Sequence, residues 1–299
     1  MITEKLKGTG TALITPFDAD GAIDFEALER LIEFNIEGGV DYLVSLGTTG
    51  EAVTLSREEC QSILDFTLEK VNDRVPVVFG VFGANNTDIV LERLTGYRLS
   101  GVTALLSASP YYNKPTQEGI FRHYQKIAEH SDYPIIIYNV PSRTASNITA
   151  ETTLRIAEEL PTIIGTKEAS GNLDQINQIL KYRPENFLVL SGDDSSTLAM
   201  MAHGADGVIS VISNAYPHEW SEMVRACQNQ NFQKAAELYA LLQDIHPWLY
   251  IDGNPCGIKG ALRHLGIINT MEVRLPLVPM QPKNHNRLIQ EMEKLKQTV

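Results

Sequence analysis

The sequence predicts an α/β fold of the (β/α)8, or TIM, barrel type followed by a C-terminal helical segment. Three observations lead there. Eight short apolar runs recur along the 299 residues. Most of these runs are apolar at consecutive positions, as in Val77-Val78-Phe79 and Ile135-Ile136-Ile137, which is expected of parallel strands covered on both faces. Their starts lie about 20 to 35 residues apart, the period of repeated βα units. An open, doubly wound sheet is the competing arrangement. Against it, the only Gly-x-Gly is Gly8-Thr9-Gly10. That places it before the first predicted strand, whereas a dinucleotide fingerprint follows its strand.

The predicted strands are, in order, Thr11–Thr15, Tyr42–Leu46, Val75–Val81, Val102–Ser107, Pro134–Asn139, Thr162–Thr166, Phe187–Ser191 and Val208–Ile212. Between them lie amphipathic stretches with end signals. Asp24 opens Phe25–Glu37, which carries Leu28, Leu31, Ile32 and Ile36 on one face and stops at Gly38-Gly39. Ser56 precedes Arg57-Glu58-Glu59, a capping residue with acids in the first turn. Thr116 caps Gln117–His130 and Thr149 caps Ala150–Glu159. After the eighth run the strand signal ends. Pro217–Gln228, Phe232–Leu249, Pro255–Leu265 and His285–Gln297 read as helices. The expected organisation is a barrel over residues 1–228 and a helical segment over 229–299.

Composition narrows the function. Lys plus Arg is 25 against 37 Asp plus Glu, a formal charge of −12, which argues against a sequence-independent nucleic-acid binder. Three separated cysteines without a CxxC pair, and seven histidines without HxxxH or HExxH spacing, give no disulfide framework and no metal-ligand pattern. No signal-peptide stretch opens the chain and no run approaches the ~18 apolar residues of a membrane span. A cytoplasmic enzyme is expected.

In such a barrel the active site lies at the carboxyl ends of the strands. Lys167 continues the sixth run. An amine held against apolar walls loses its proton more readily and can attack a ketone to form a Schiff base. Alternatively, the lysine caps its strand and reaches to water. Tyr138 and Tyr112 are candidate proton shuttles with Thr48 as a relay, or half-buried packing residues with wet hydroxyls. The turn Gly47-Thr48-Thr49-Gly50 can hold a carboxylate or a phosphate, or simply join strand to helix. Arg143 suits a carboxylate because its planar fork takes two oxygens, although a surface role fits equally. Asp193-Asp194 reads better as a hydrogen-bonded turn than as a metal site, with Gly192 letting the backbone approach a ligand.

These residues resemble a known family. Gly47-Thr48-Thr49-Gly50-Glu51, Gly83-Ala84-Asn85, Pro110-Tyr111-Tyr112-Asn113-Lys114-Pro115, Tyr138-Asn139-Val140-Pro141-Ser142-Arg143-Thr144, Gly165-Thr166-Lys167-Glu168-Ala169, Ser191-Gly192-Asp193-Asp194 and Gly207-Val208-Ile209-Ser210-Val211 stand in the order of the dihydrodipicolinate synthase family. This family lies within the pyruvate-dependent class I aldolases that include N-acetylneuraminate lyase. The resemblance runs from Gly10 to Pro276. It implies condensation of pyruvate with L-aspartate-4-semialdehyde in the diaminopimelate route to lysine. Lys167 would form the imine, Tyr138 would donate and accept protons, and Thr48 and Tyr112 would complete the relay. Tyr112 would act in a neighbouring subunit's site, which implies a tight dimer within a homotetramer. Thr49 and the backbone at Ile209 would hold the pyruvate carboxylate, and Arg143 that of the semialdehyde. No metal or organic cofactor is implied. The alternatives are another pyruvate-dependent aldolase, lyase-like or hydratase-aldolase, and a catalytically silent ligand-binding paralogue. The intact set Lys167, Tyr138, Tyr112, Thr48 and Arg143 speaks against the silent one. Lysine-inhibited members usually carry polar, often histidine or acidic, groups at positions matching Arg57, Cys60 and Ile89. Tyr111 and Asn85, also used there, are present, but Ile89 cannot bind an ammonium, so weak or absent lysine inhibition is expected here.

Overall fold

The computed structural model describes residues 1–296. Eight parallel strands close into a barrel in sequence order: β1 Gly8–Ala12, β2 Tyr42–Ser45, β3 Val77–Phe79, β4 Ala104–Ala108, β5 Ile135–Asn139, β6 Ile163–Glu168, β7 Leu188–Ser191 and β8 Gly207–Ser210. The closing pair β1·β8 sets Gly8 opposite Gly207 and Thr11 opposite Ser210. The predicted architecture is therefore the observed one.

The first strand needs correcting. It starts at Gly8, not Thr11, and the Gly-x-Gly lies within it. Glycine is normally poor in strands, but here it makes room. A Cβ on Gly10 would stand 2.1 Å from the Tyr42 ring, which fills the barrel floor. Thr15, at the predicted strand end, instead bonds the Gly50 carbonyl at 2.7 Å and ties the first βα loop to the second.

Helices α1 Phe25–Glu37, α2 Arg57–Val71, α3 Thr87–Gly96, α4 Gln117–Ala128, α5 Pro141–Thr144, α6 Ala150–Glu159, α7 Leu173–Tyr182, α8 Thr197–Ala202 and α9 Pro217–Gln228 surround the barrel. Asp24, Thr116 and Thr149 accept backbone N–H groups at their helix starts, and Ser56 forms a reciprocal capping box with Glu59. The helix from Thr116 stops at Ala128 rather than His130.

Further on, α10 Phe232–Gln243, α11 His246–Tyr250, α12 Cys256–His264 and α13 Pro282–Lys296 follow. The single helix expected over Phe232–Leu249 is two. Pro247 sits in the first turn of α11, and a proline inside a helix lacks the N–H and crowds the preceding turn. Pro255 precedes α12 rather than joining it, and α13 begins at Pro282, not His285. The expected end at Gln297 lies outside the described residues. This segment grips the first two βα loops. Thr270 bonds the Phe17 carbonyl at 2.6 Å, and Asn269 reaches Asp24 at 3.0 Å. Among the described residues no helix is long and apolar enough to cross a membrane.

Candidate active site

Tyr138 on β5 and Lys167 on β6 face each other across paired strands. Simple alternation would not put Lys167 there. Ile163 packs outside the barrel and Ile164 inside, so strict alternation turns residue 167 outward. A register shift lies between the pairs Ile135–Ile163 and Ile136–Gly165. This bulge absorbs one residue and turns Lys167 inward. Its Nζ stands 4.3 Å from the centre of the Tyr138 ring. The two residues are only 6% and 7% exposed. Burial brings the lysine down to about 8, with nearby Asp194 opposing and Arg143 adding to the shift. Burial pushes the Tyr138 phenol up to about 12, which Arg143 opposes. A minor but usable fraction of the amine is thus neutral near physiological pH, far more than for an ordinary lysine, whereas the phenol holds its proton.

The neighbouring strands press closely. A Cβ on Gly192 would lie 3.0 Å from the Lys167 Cγ and 2.8 Å from the Ala169 Cβ. Glycine there admits the lysine stem itself. The two acids that follow serve the turn. Asp193 accepts the Ser195 and Ser196 hydroxyls at 2.6 and 2.8 Å. Buried Asp194 accepts the amides of Val211 and Ile212 at 3.0 and 2.8 Å and the Tyr250 hydroxyl at 3.2 Å. Those amides follow β8, where Ile209 is buried in the interior cluster that also holds Tyr138.

The loop after β2 bends sharply. Gly50 N–H donates to Gly47 and Glu51 N–H to Thr48, each at 3.1 Å. Thr48 is exposed and Thr49 is buried. Asn254 donates to the Thr49 hydroxyl oxygen at 3.0 Å, which leaves the Thr49 proton free for another acceptor. Glu51 is fully buried and meets equally buried Lys259 at 2.5 Å. The Lys259 ammonium also donates to the Glu272 carbonyl at 2.7 Å, and the Arg274 amide donates to Glu51 at 3.0 Å. Arg274 in turn makes a forked pair with Glu59 at 2.6 and 2.8 Å.

The rim is built differently. Arg143 and Thr48 line a cavity of about 580 Å³ together with Tyr111. Arg57 and Cys60, one turn apart on α2, and Ile89 on α3 line the same cavity. Tyr112 does not join Tyr138 within this chain. It is 85% exposed, on a loop where its own φ is +68°. Sequence reasoning singles out Lys167, Tyr138, Thr49 and Gly192 but misses Asn254, the Asp194–Tyr250 contact and the buried network around Glu168. Asn139 and Glu168 were in view as the residues after Tyr138 and Lys167. Nothing in their spacing says that they meet.

The chain matches the model described as the dihydrodipicolinate synthetase family over residues 5–295. It is 46% identical over 296 residues to the 4-hydroxy-tetrahydrodipicolinate synthase of Phocaeicola vulgatus, covering 99% of each chain. A solved structure of a monomeric dihydrodipicolinate synthase variant superimposes with a TM-score of 0.95 at 38% identity, over 98% of each chain. The structure of dihydrodipicolinate synthase from Aquifex aeolicus gives 0.93 at 42% identity, over 97% of this chain and 98% of that one.

Proposed function

The chain belongs to the dihydrodipicolinate synthetase family and is a lyase of the 4-hydroxy-tetrahydrodipicolinate synthase type, and we propose that it works through a Schiff base on Lys167. The neutral amine attacks the pyruvate ketone, and the carbinolamine loses water to give an iminium. Loss of a methyl proton yields an enamine. Its carbon attacks the aldehyde of L-aspartate-4-semialdehyde, and the new alkoxide takes a proton. The substrate's amino group then attacks the iminium carbon, closes the ring and releases the lysine amine. One water leaves overall.

Tyr138 supplies and removes protons at the carbinolamine and the aldol oxygen. A phenol pushed up to about 12 needs a relay to exchange its proton at neutral pH. Thr48 and a neighbouring subunit's Tyr112 form that relay. Thr49, with its hydroxyl proton free, and the backbone at Ile209 hold the pyruvate carboxylate. Gly192 keeps the wall beside the lysine thin, and Arg143 receives the semialdehyde carboxylate at the rim. A tight dimer within a homotetramer, in the cytoplasm, completes the reading.

The observation that carries it is the buried amine of Lys167 over the Tyr138 ring. Incubation with pyruvate and borohydride tests it by peptide mass. A reduced pyruvyl adduct on the Lys167 peptide is the expected result; a label on a different lysine, or none, contradicts the mechanism.

A further inference from the structure

Tyr138 and Lys167 point into the barrel, so the residues after them, Asn139 and Glu168, point out. These too are register partners. The Asn139 side-chain amide lies 3.1 Å from both Glu168 carboxylate oxygens. The Ser170 N–H donates to the same carboxylate at 2.8 Å and the Gln175 amide at 3.3 Å. Asn139 is itself held, since its carbonyl oxygen accepts the Ile148 N–H at 3.0 Å. Glu168 is 1% exposed and faces no cation in this contact set. Four elements therefore meet behind the two reacting side chains: β5, β6, the loop before α6 and the first turn of α7.

We propose that the Asn139–Glu168 pair is a register lock that positions Lys167 and Tyr138 for imine chemistry. The reason lies in the bulge. The register of β6 against β5 already shifts once, near Ile164. A strand that slides by one residue exchanges its two faces. A slip here would turn Lys167 out and bring Glu168 into the barrel. In the native register both Glu168 carboxylate oxygens are met by donors, from Asn139, Ser170 and Gln175. In the slipped register the amides of Asn139 and Gln175 keep Asn147 Oδ1 and the Ile148 carbonyl as acceptors, but the Glu168 carboxylate loses its donors while still buried, which is heavily penalised. The backbone bonds at the strand ends, Ala169 to Asn139 at 2.9 Å and Gly192 to Glu168 at 2.8 Å, run through the same residues. The outer face thus selects what the inner face presents. Glu168 and Asn139 touch no substrate; they act through their neighbours.

This inference rests on the imine reading of Lys167, and one set of measurements separates the two. Borohydride trapping with the unmodified protein tests the reading. Stopped-flow imine formation in Glu168→Gln and Asn139→Ala tests the lock. Glu168→Gln sets an amide against the donors of Asn139 and Gln175. The expected result is imine formation slowed by about 10²-fold, the scale of a 1 Å misplacement. The semialdehyde KM should stay within about twofold, because the rim is untouched. The double variant Asn139→Asp with Glu168→Gln restores one donor and one acceptor across the strands and should recover most of the rate. Both sets are compared at equal folded fraction by circular dichroism, and if Glu168→Gln does not fold, Asn139→Ala and the double variant decide. Unchanged imine formation in a folded single variant, or no recovery in the folded double variant, overturns the lock. No label in the unmodified protein overturns the imine reading instead.

Discussion

Lys167 and Tyr138 sit on adjacent strands of a closed barrel and are almost fully buried, whereas Tyr112 is exposed on a loop with left-handed backbone. Thr48, in the turn after β2, and Arg143, in the short helix α5, share the exposed side of that contrast. The floor of the mouth is complete within one chain. Each of its side chains has a neighbour that fixes it, and the environment has already shifted its proton affinity. The rim is a set of loops that border a cavity and leave the tyrosine facing away. The proposed mechanism sets covalent chemistry on strands, which tolerate little displacement. The same mechanism would leave recognition and proton exchange with solvent to the exposed rim, which a second subunit would complete.

The sharpest break in this comparison is Lys167→Ala. It should abolish adduct formation and lower turnover by at least about 10⁶-fold, the low end of enzymatic acceleration, measured by coupled assay and mass spectrometry. In the unmodified protein the rate of imine formation should rise with pH and level off above about 8, because only the neutral amine attacks. A rate that falls with pH through that range would refute the assignment. Next, Tyr138→Phe removes the phenol and leaves the ring under the amine. We expect kcat to fall by about 10²–10⁴-fold while the lysine still accepts label slowly.

Tyr112 tests whether the rim works between subunits. Tyr112→Phe alone should cost about 10²-fold in kcat. Refolded together with Lys167→Ala, it should yield activity that neither variant has alone, since a mixed dimer holds one site with both residues. Absence of recovery would return Tyr112 to a packing role. Arg143→Ala comes next. Loss of a forked carboxylate contact should remove roughly 1.5–3 kcal/mol, about one to two decades in semialdehyde kcat/KM, with pyruvate trapping intact. The smallest effect concerns the outer cavity. Its lining includes Ile89 and Arg57, the one without an acceptor for an ammonium and the other cationic. Titration with L-lysine at subsaturating pyruvate should leave activity nearly constant; half-inhibition at submillimolar lysine would show that other residues provide the acceptor.

The floor was largely legible in the sequence. Apolar runs, cap residues and the reactive side chains at run ends are local signals, and they place eight strands, the caps of α1, α2, α4 and α6, and Lys167. What was not legible depends on a partner elsewhere. The β6 bulge is invisible because Ile163-Ile164-Gly165 is apolar on either face. The glycines of β1 look like a loop until the Tyr42 ring arrives from the next strand. Glu51 and Lys259 are 208 positions apart, so neither spacing nor composition announces the pair. Pro247 lies inside an apolar pattern that continues on both sides, so the period alone runs two helices together.

That pair has a consequence for how the protein comes into being. A ribosome delivers chain at about 5–20 residues per second, and earlier parts begin to fold first. Lys167 and every barrel strand emerge before Asn254, Lys259 and Arg274. Until those arrive, Glu51 is a carboxylate without its ammonium, too costly to bury, and Thr49 lacks the donor that orients it. On the proposed mechanism, a nascent chain therefore carries its nucleophile before the turn at Thr49 is seated. Amine and carboxylate-binding loop would, on that mechanism, be joined only when the later-made helices dock, and the unfinished polypeptide should react poorly with pyruvate.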